Sequence, residues 1–401
     1  EVFEQLSEQN VVTWSALIAG YVQHGLGYEA LKCFRQMKDA GVRQDAVTYI
    51  SILKACGIVG SLEIGEYIGI EVRKKGLLEK DVVLSTALID MYAKCGVLIK
   101  AQEVFDELPT RNVISWNVLI SGYVQHGQSH EALESFKRMQ NEGLSPYAIT
   151  FICTLKACGR MGAIEKGKHI HDKIVSRGLL EKSVILGNAL IDMYAKSGAL
   201  AKAQEVLEEL HIRDKVSWSA LIAGYVKEAQ GHEALHCFKR MKREGFYPDW
   251  VTLMCVLKAC ASAGTIRIGK QIHEEIVNRG FLEKNVMLGN VLVDMYAKWG
   301  VLAVARQVLE ELPLRDVVSW NSLIAGYAQH EQGQDALTCF EQMQREGLSP
   351  NEVTFICILK ACSSVGAIHK GKQIHDVIFN GGFLQKNIML GTTLVDMYAK
   401  C

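Results

Sequence analysis

Two histidine strings are the residues in this sequence whose types and spacing best suit chemistry. His232-Glu233-Ala234-Leu235-His236 has the H-E-x-x-H spacing of a zinc protease, in which two imidazoles one helical turn apart hold a metal and the glutamate acts as general base. His273-Glu274-Glu275 has the H-x-E spacing of the zinc deaminases, in which the glutamate moves protons for a metal-bound hydroxide. Both signals weaken when the rest of the chain is compared with them. The counterparts of the first string are Tyr28-Glu29-Ala30-Leu31-Lys32, His130-Glu131-Ala132-Leu133-Glu134 and Gln334-Asp335-Ala336-Leu337-Thr338, so the acidic-Ala-Leu core is a scaffold pattern and the histidines are incidental. The second string is never followed by P-C-x-x-C, and its copies at His171 and His375 lack the glutamate. No phosphate-cradling glycine loop or nucleophile elbow occurs. The chain is therefore expected to carry no catalytic residue, no metal and no cofactor.

The twelve cysteines follow the same repetition. Cys56, Cys158, Cys260 and Cys362 copy one position, Cys33, Cys237 and Cys339 a second, and Cys153, Cys255 and Cys357 a third. With no C-x-x-C pair among them, they read as small core residues rather than as a disulfide or zinc framework.

The elements that must position all of these residues recur every 102 residues. VVTWSALIAGYVQHG from Val11 returns as VISWNVLISGYVQHG from Val113, KVSWSALIAGYVKEA from Lys215 and VVSWNSLIAGYAQHE from Val317. Within one period lie three weaker copies of one pattern, 11–45, 46–81 and 82–112, of 35, 36 and 31 residues. Each has an apolar run at helical spacing, a glycine-containing break, a second amphipathic run and a polar turn, which is a helix-turn-helix unit. Trp14, Leu17, Ile18 and Tyr21 share one face of the first helix; Ala30, Leu31, Phe34 and Met37 share one face of the second. Thr13, Ser115, Ser217 and Ser319 stand where helix N-caps are expected. Pro109, Pro146, Pro248, Pro313 and Pro350 all fall between units, where a residue that breaks helices belongs. Gly41, Gly143, Gly245 and Gly347 follow the second helices, where a left-handed cap residue belongs.

One such unit cannot bury its apolar faces alone, so neighbours must stack. The expected fold is all-α: an alpha-alpha superhelix, a right-handed solenoid of tandem helix-turn-helix repeats with a concave binding surface. Composition agrees, since 49% hydrophobic and 22% charged residues suit a folded, soluble chain. Forty-four basic residues balance forty-four acidic ones, so a polyanion would have to be met by a local groove of positive charge. No stretch of eighteen apolar residues occurs, and no membrane partner is expected. The chain opens at Glu1 without methionine or leader, and both ends fall inside a 31-residue unit, which reads as an internal fragment.

The 35, 36 and 31 residue alternation, with phrases such as ALIDMYAKCG from Ala87, LKACGRMGAIEKGKHIH from Leu155 and VVSWNSLIAGY from Val317, resembles the PLS subclass of plant pentatricopeptide repeat proteins. The resemblance covers the whole chain as one array: a partial S unit at 1–10; P units at 11–45, 113–147, 215–249 and 317–351; L units at 46–81, 148–183, 250–285 and 352–387; S units at 82–112, 184–214 and 286–316; and a partial S unit at 388–401. It implies sequence-specific binding of single-stranded RNA, one nucleotide per unit, in a chloroplast or mitochondrion, as the target-recognition module of a factor that edits cytidine to uridine. It further implies multiple organellar RNA editing factor proteins docking on the longer units, and a deaminase supplied by a following domain or a separate protein. The same module serving splicing or transcript stability is an alternative, and a protein-binding helical scaffold is another.

In the family, the fifth and last residues of a unit contact the base edge and the second packs against the base faces. Carried over, the base-reading pairs are Ser15 with Asp45, Thr86 with Asn112, Asn117 with Tyr147, Asn188 with Asp214, Ser219 with Asp249, Asn290 with Asp316 and Asn321 with Asn351. Short amides and hydroxyls have the donors and acceptors for a base edge. At the fifth position they are indifferent helix formers with no evident packing role. A closing Asp or Asn is equally a turn or capping residue, and both readings stand. By the family's code the eleven units read 5′-G-n-A-n-n-U-G-n-U-Y-n-3′, with the Tyr147 unit departing from it. The longer units carry Ile50, Ile152, Met254 and Ile356 at the fifth position, which cannot hydrogen-bond to a base. The base-sandwiching set is Val12, Val47, Val83, Ile114, Ile149, Ile185, Val216, Val251, Met287, Val318 and Val353, for which ordinary core packing is the other reading. Lys94, Lys196, Lys298 and Lys400 are phosphate candidates, or else members of a solvated face.

Overall fold

A helix leaves its first backbone N–H groups without partners, and in this chain an Asp, Asn or Ser side chain meets them at nearly every unit start. In the computed structural model, which describes residue 3, residues 9–385 and residues 387–401, the first helices follow Asn10, Asp45, Asp81, Asn112, Tyr147, Ser183, Asp214, Asp249, Asn285, Asp316, Asn351 and Asn387. All but Tyr147 accept a backbone N–H through the side chain. This corrects the caps expected at Thr13, Ser115, Ser217 and Ser319. Those residues lie three positions inside the helix, where their hydroxyls close a capping box by accepting the N–H of Asn10, Asn112, Asp214 and Asp316. The first helical turn is thus tied from both directions, and the apolar run begins one residue after the true cap.

One period has six α-helices, Val11–Gln23, Gly27–Asp39, Ala46–Val59, Leu62–Lys74, Val82–Lys94 and Leu98–Asp106, and the order recurs from Val113 and Lys215 and, through its fifth helix, from Val317. Every described element is a helix, so the fold is all-α. The five prolines lie outside the helices. Gly41, Gly143, Gly245 and Gly347 have φ of 71°, 76°, 86° and 78°, a region open to glycine because it has no Cβ.

The chain forms two compact bodies, Glu1–Ile212 and Arg213–Cys401. Within each, a second helix packs on the first helix of its own unit, and successive first helices pack on one another, from Val11–Gln23 through Val184–Lys196 in one body and from Lys215–Lys227 through Ile388–Lys400 in the other. In each body two helical layers therefore enclose a core. The largest fully buried side chains are Trp116, Tyr49 and Tyr194 in the first body and Trp218, Trp320 and Tyr296 in the second. The first helices of the longer units are enclosed on most sides, and Leu53, Cys56, Leu155 and Cys158 are fully buried. Arg177 donates to the Pro146 carbonyl at 2.8 Å and Arg279 to that of Pro248 at 2.9 Å, which binds the end of a longer unit to the turn before it. The segment 1–10, read as a partial unit, lies outside the described residues except at 3, 9 and 10.

Candidate functional site

The first helices present one face that the core does not use. All eleven second-position side chains lie on it, with exposures of 37–69%. Eleven large aliphatic groups left in water at the same register are not core residues, so the packing alternative does not hold for them.

The fifth positions lie one turn further along and deeper. Ser15, Asn117, Asn290 and Asn321 are only 5–7% exposed, while Thr86, Asn188 and Ser219 are half-buried. The expectation that they lack a packing role is corrected by their bonds. A threonine three residues into each longer unit reaches back to the fifth residue of the unit before it. Ser15 Oγ is 2.6 Å from Thr48 Oγ1 and Ser219 Oγ 2.6 Å from Thr252 Oγ1; Thr150 Oγ1 donates to Asn117 Oδ1, and Thr354 Oγ1 to Asn321 Oδ1, both at 2.7 Å. Reading one unit at a time hides this link. Its sequence signal is the Asp/Asn-x-x-Thr capping pattern of the next unit, at 45–48, 249–252 and 351–354.

The closing residues are the caps themselves. Asp45, Asp249 and Asn351 accept the backbone N–H of Thr48, Thr252 and Thr354 at 2.8, 3.0 and 3.1 Å. Capping does not exhaust them. Asn290 Nδ2 donates to Asp316 Oδ1 and Oδ2 at 3.1 and 3.2 Å, and Asn321 Nδ2 donates to Asn351 Oδ1 at 3.1 Å. Fifth and closing residues are brought together there by direct hydrogen bonds. At Asn117 they are not: Tyr147 offers no such acceptor, and Asn117 Nδ2 is buried without a partner among the described residues. Asn290 Oδ1 is likewise buried and unpartnered. A polar atom left so loses solvation it does not recover.

Thr86 and Asn112 line one cleft of 310 Å³ with Val83 and Ile114, the second-position residues of their own and the following unit. Lys54 and Asp90 are also in its wall. The cleft thus brings two polar side chains together with two exposed aliphatic ones.

Lys94, Lys196, Lys298 and Lys400 each pair with an aspartate one turn earlier, Asp90, Asp192, Asp294 and Asp396, at 2.7–2.8 Å. Each charge is therefore already partly offset.

His232 and His236 are exposed on helix Gly231–Arg243, and no cluster of three or more potential ligands among the described residues is arranged for a metal. His273 Nδ1 is 3.1 Å from the Tyr296 hydroxyl, while Glu275 pairs with Lys242 and Arg279. Burial pushes the Cys56 thiol up to about 12 and those of Cys158, Cys339 and Cys362 to about 11, far from the thiolate that a nucleophile or ligand requires. No described helix is long and apolar enough to cross a membrane.

The PPR repeat family pattern matches residues 9–57, 111–160, 213–262 and 315–364, and a second PPR repeat pattern matches 83–113 and 188–214. The chain belongs to the PPR repeat family. Two PPR relatives from Arabidopsis thaliana are pentatricopeptide repeat-containing protein At3g09040, mitochondrial, 36% identical over 99% of this chain, and At4g18520, chloroplastic, 34% identical over 100%. The chain spans 38% and 64% of their respective lengths. The crystal structure of the PPR protein PPR10 from maize shares the fold, with a TM-score of 0.70 at 21% identity over 98% of this chain and 62% of that one. PPR10 in complex with an 18-nt psaJ RNA element gives 0.68 at 18% identity over 91% and 59%.

Proposed function

We propose that this PPR chain binds single-stranded RNA sequence-specifically, one nucleotide per unit, and that it is the target-recognition part of an organellar C-to-U editing factor of the PLS subclass. The observation that carries the reading is the cleft that Thr86 and Asn112 line together with Val83 and Ile114. Aliphatic walls exclude water from the faces of a planar base, and the hydroxyl and amide distinguish its edge. A short amide or hydroxyl at the fifth position of every 35 and 31 residue unit supports it, because such groups carry the donors and acceptors that a base edge requires. The family relative PPR10, crystallised with an RNA element, supports the ligand class, and the mitochondrial and chloroplastic names of the relatives support an organelle. The alternating unit lengths support the PLS assignment.

Asn290→Ser tests the code. With Asp316 retained, preference at that nucleotide should move from uracil towards guanine by about 1–3 kcal/mol, measured by competition between two RNAs differing at one base. An unchanged preference would sink the base-reading assignment.

A further inference from the structure

The longer units have no group at the fifth position that can read a base edge, yet their first helices keep one charged side chain on the same face. Residues 51–56 are buried except Lys54, 154–159 except Lys156, 256–260 except Lys258, and 357–362 except Lys360. Each lysine stands four residues after the aliphatic fifth residue and seven after the exposed second one, which places all three on one helical face. Lys54 lines the cleft of Thr86 and Asn112.

These four ammonium groups differ from the lysines of the shorter units in one respect. None makes a hydrogen bond or ion pair to another described residue, whereas Lys94 and its copies are each held by an aspartate within 2.8 Å. Even Asp90, in the same cleft as Lys54, is committed to Lys94. A repeated, unpaired cation beside the groups that face a base is placed to neutralise the backbone that links one base to the next.

We propose that the longer units grip the RNA backbone instead of reading it: Lys54, Lys156, Lys258 and Lys360 each bind a phosphodiester oxygen. This inference rests on the RNA-binding reading above. It divides the labour of the array, with the 35 and 31 residue units choosing bases and the 36-residue units holding phosphates without regard to sequence.

The test compares the intact chain with two quadruple variants, each checked for native helicity. One carries Lys54→Gln, Lys156→Gln, Lys258→Gln and Lys360→Gln; the other carries Lys94→Gln, Lys196→Gln, Lys298→Gln and Lys400→Gln. Binding to an RNA selected by the wild type, and to a scrambled one, is measured from 50 to 200 mM salt. Each phosphate that is no longer neutralised lowers the slope of log affinity against log salt by about 0.7, so four lower it by about 2.8. Across that salt range the wild type should weaken about 50-fold more than the first variant, which should lose affinity for both RNAs alike. An unchanged slope in the first variant, with wild-type preference intact, overturns the phosphate assignment alone. A loss of slope as large in the second variant as in the first overturns the assignment of the grip to the longer units. A wild type that binds neither RNA overturns the RNA reading itself, and this inference with it.

Discussion

Thr354 Oγ1 donates to Asn321 Oδ1 at 2.7 Å, across the boundary between two units and with both residues buried. The bond orients the amide so that Nδ2 meets Asn351 at 3.1 Å, and Thr354 itself is held 3.1 Å from the same Asn351 oxygen. A side chain that would otherwise be free to rotate is fixed by its neighbour's helix start.

Replacing that threonine should therefore cost stability and selectivity together. Thr354→Val keeps the shape but leaves a buried amide oxygen without a donor, a loss of about 1–3 kcal/mol. Urea denaturation would register it, and competition binding should show a weaker base preference at the Asn321 unit. Wild-type stability in the variant would mean that the bond contributes nothing.

Among the described first helices, Tyr147 is the one cap whose side chain accepts no backbone N–H, and the fifth residue of its unit, Asn117, has a buried Nδ2 without a partner. Tyr147→Asp supplies an acceptor to both. Thermal or urea unfolding should show a gain of about 0.5–2 kcal/mol from the cap, and the nucleotide opposite Asn117 should be selected more sharply as uracil. A variant no more stable than wild type would refute the capping account.

The exposed aliphatic row separates core from contact. Val83→Ser and Ile114→Ser should each change stability by no more than about 0.5 kcal/mol, as expected for surface substitutions, while RNA affinity falls. Truncation of a core aliphatic side chain would cost about 2–5 kcal/mol, so denaturation midpoints decide between the two roles.

Burial holds the imidazoles of His171 and His273 below the usual range, although Glu209 and Asp172, or Glu311 and Glu274, pull the other way. Above about pH 6.5, the ordinary histidine value, both are neutral whether the chain is folded or not, and their contribution is complete. Below it the unfolded chain takes up protons that the folded one refuses, so stability falls as pH falls. The double variant His171→Gln, His273→Gln should show a flatter stability profile from pH 7 to 5 than wild type. Parallel profiles would rule the pair out as a source of acid sensitivity.

The sequence by itself determined the helices, their order and their stacking partners, because those depend on local signals that recur every 102 residues: apolar spacing, glycine after the second helix, proline between units. It also located the polar fifth positions and the aliphatic second ones. It could not say that Val83 and Ile114 are left in water, because an aliphatic residue on a helix is compatible with either core or surface until its neighbours are placed. Nor could it say that Ser15, Asn117, Asn290 and Asn321 are nearly covered, or that Thr48, Thr150, Thr252 and Thr354 hold Ser15, Asn117, Ser219 and Asn321 in turn. Those relationships join residues about thirty positions apart on helices of adjacent units. Packing decided them, since only close approach of two helix starts brings a hydroxyl of one unit within bonding distance of an amide or hydroxyl of another.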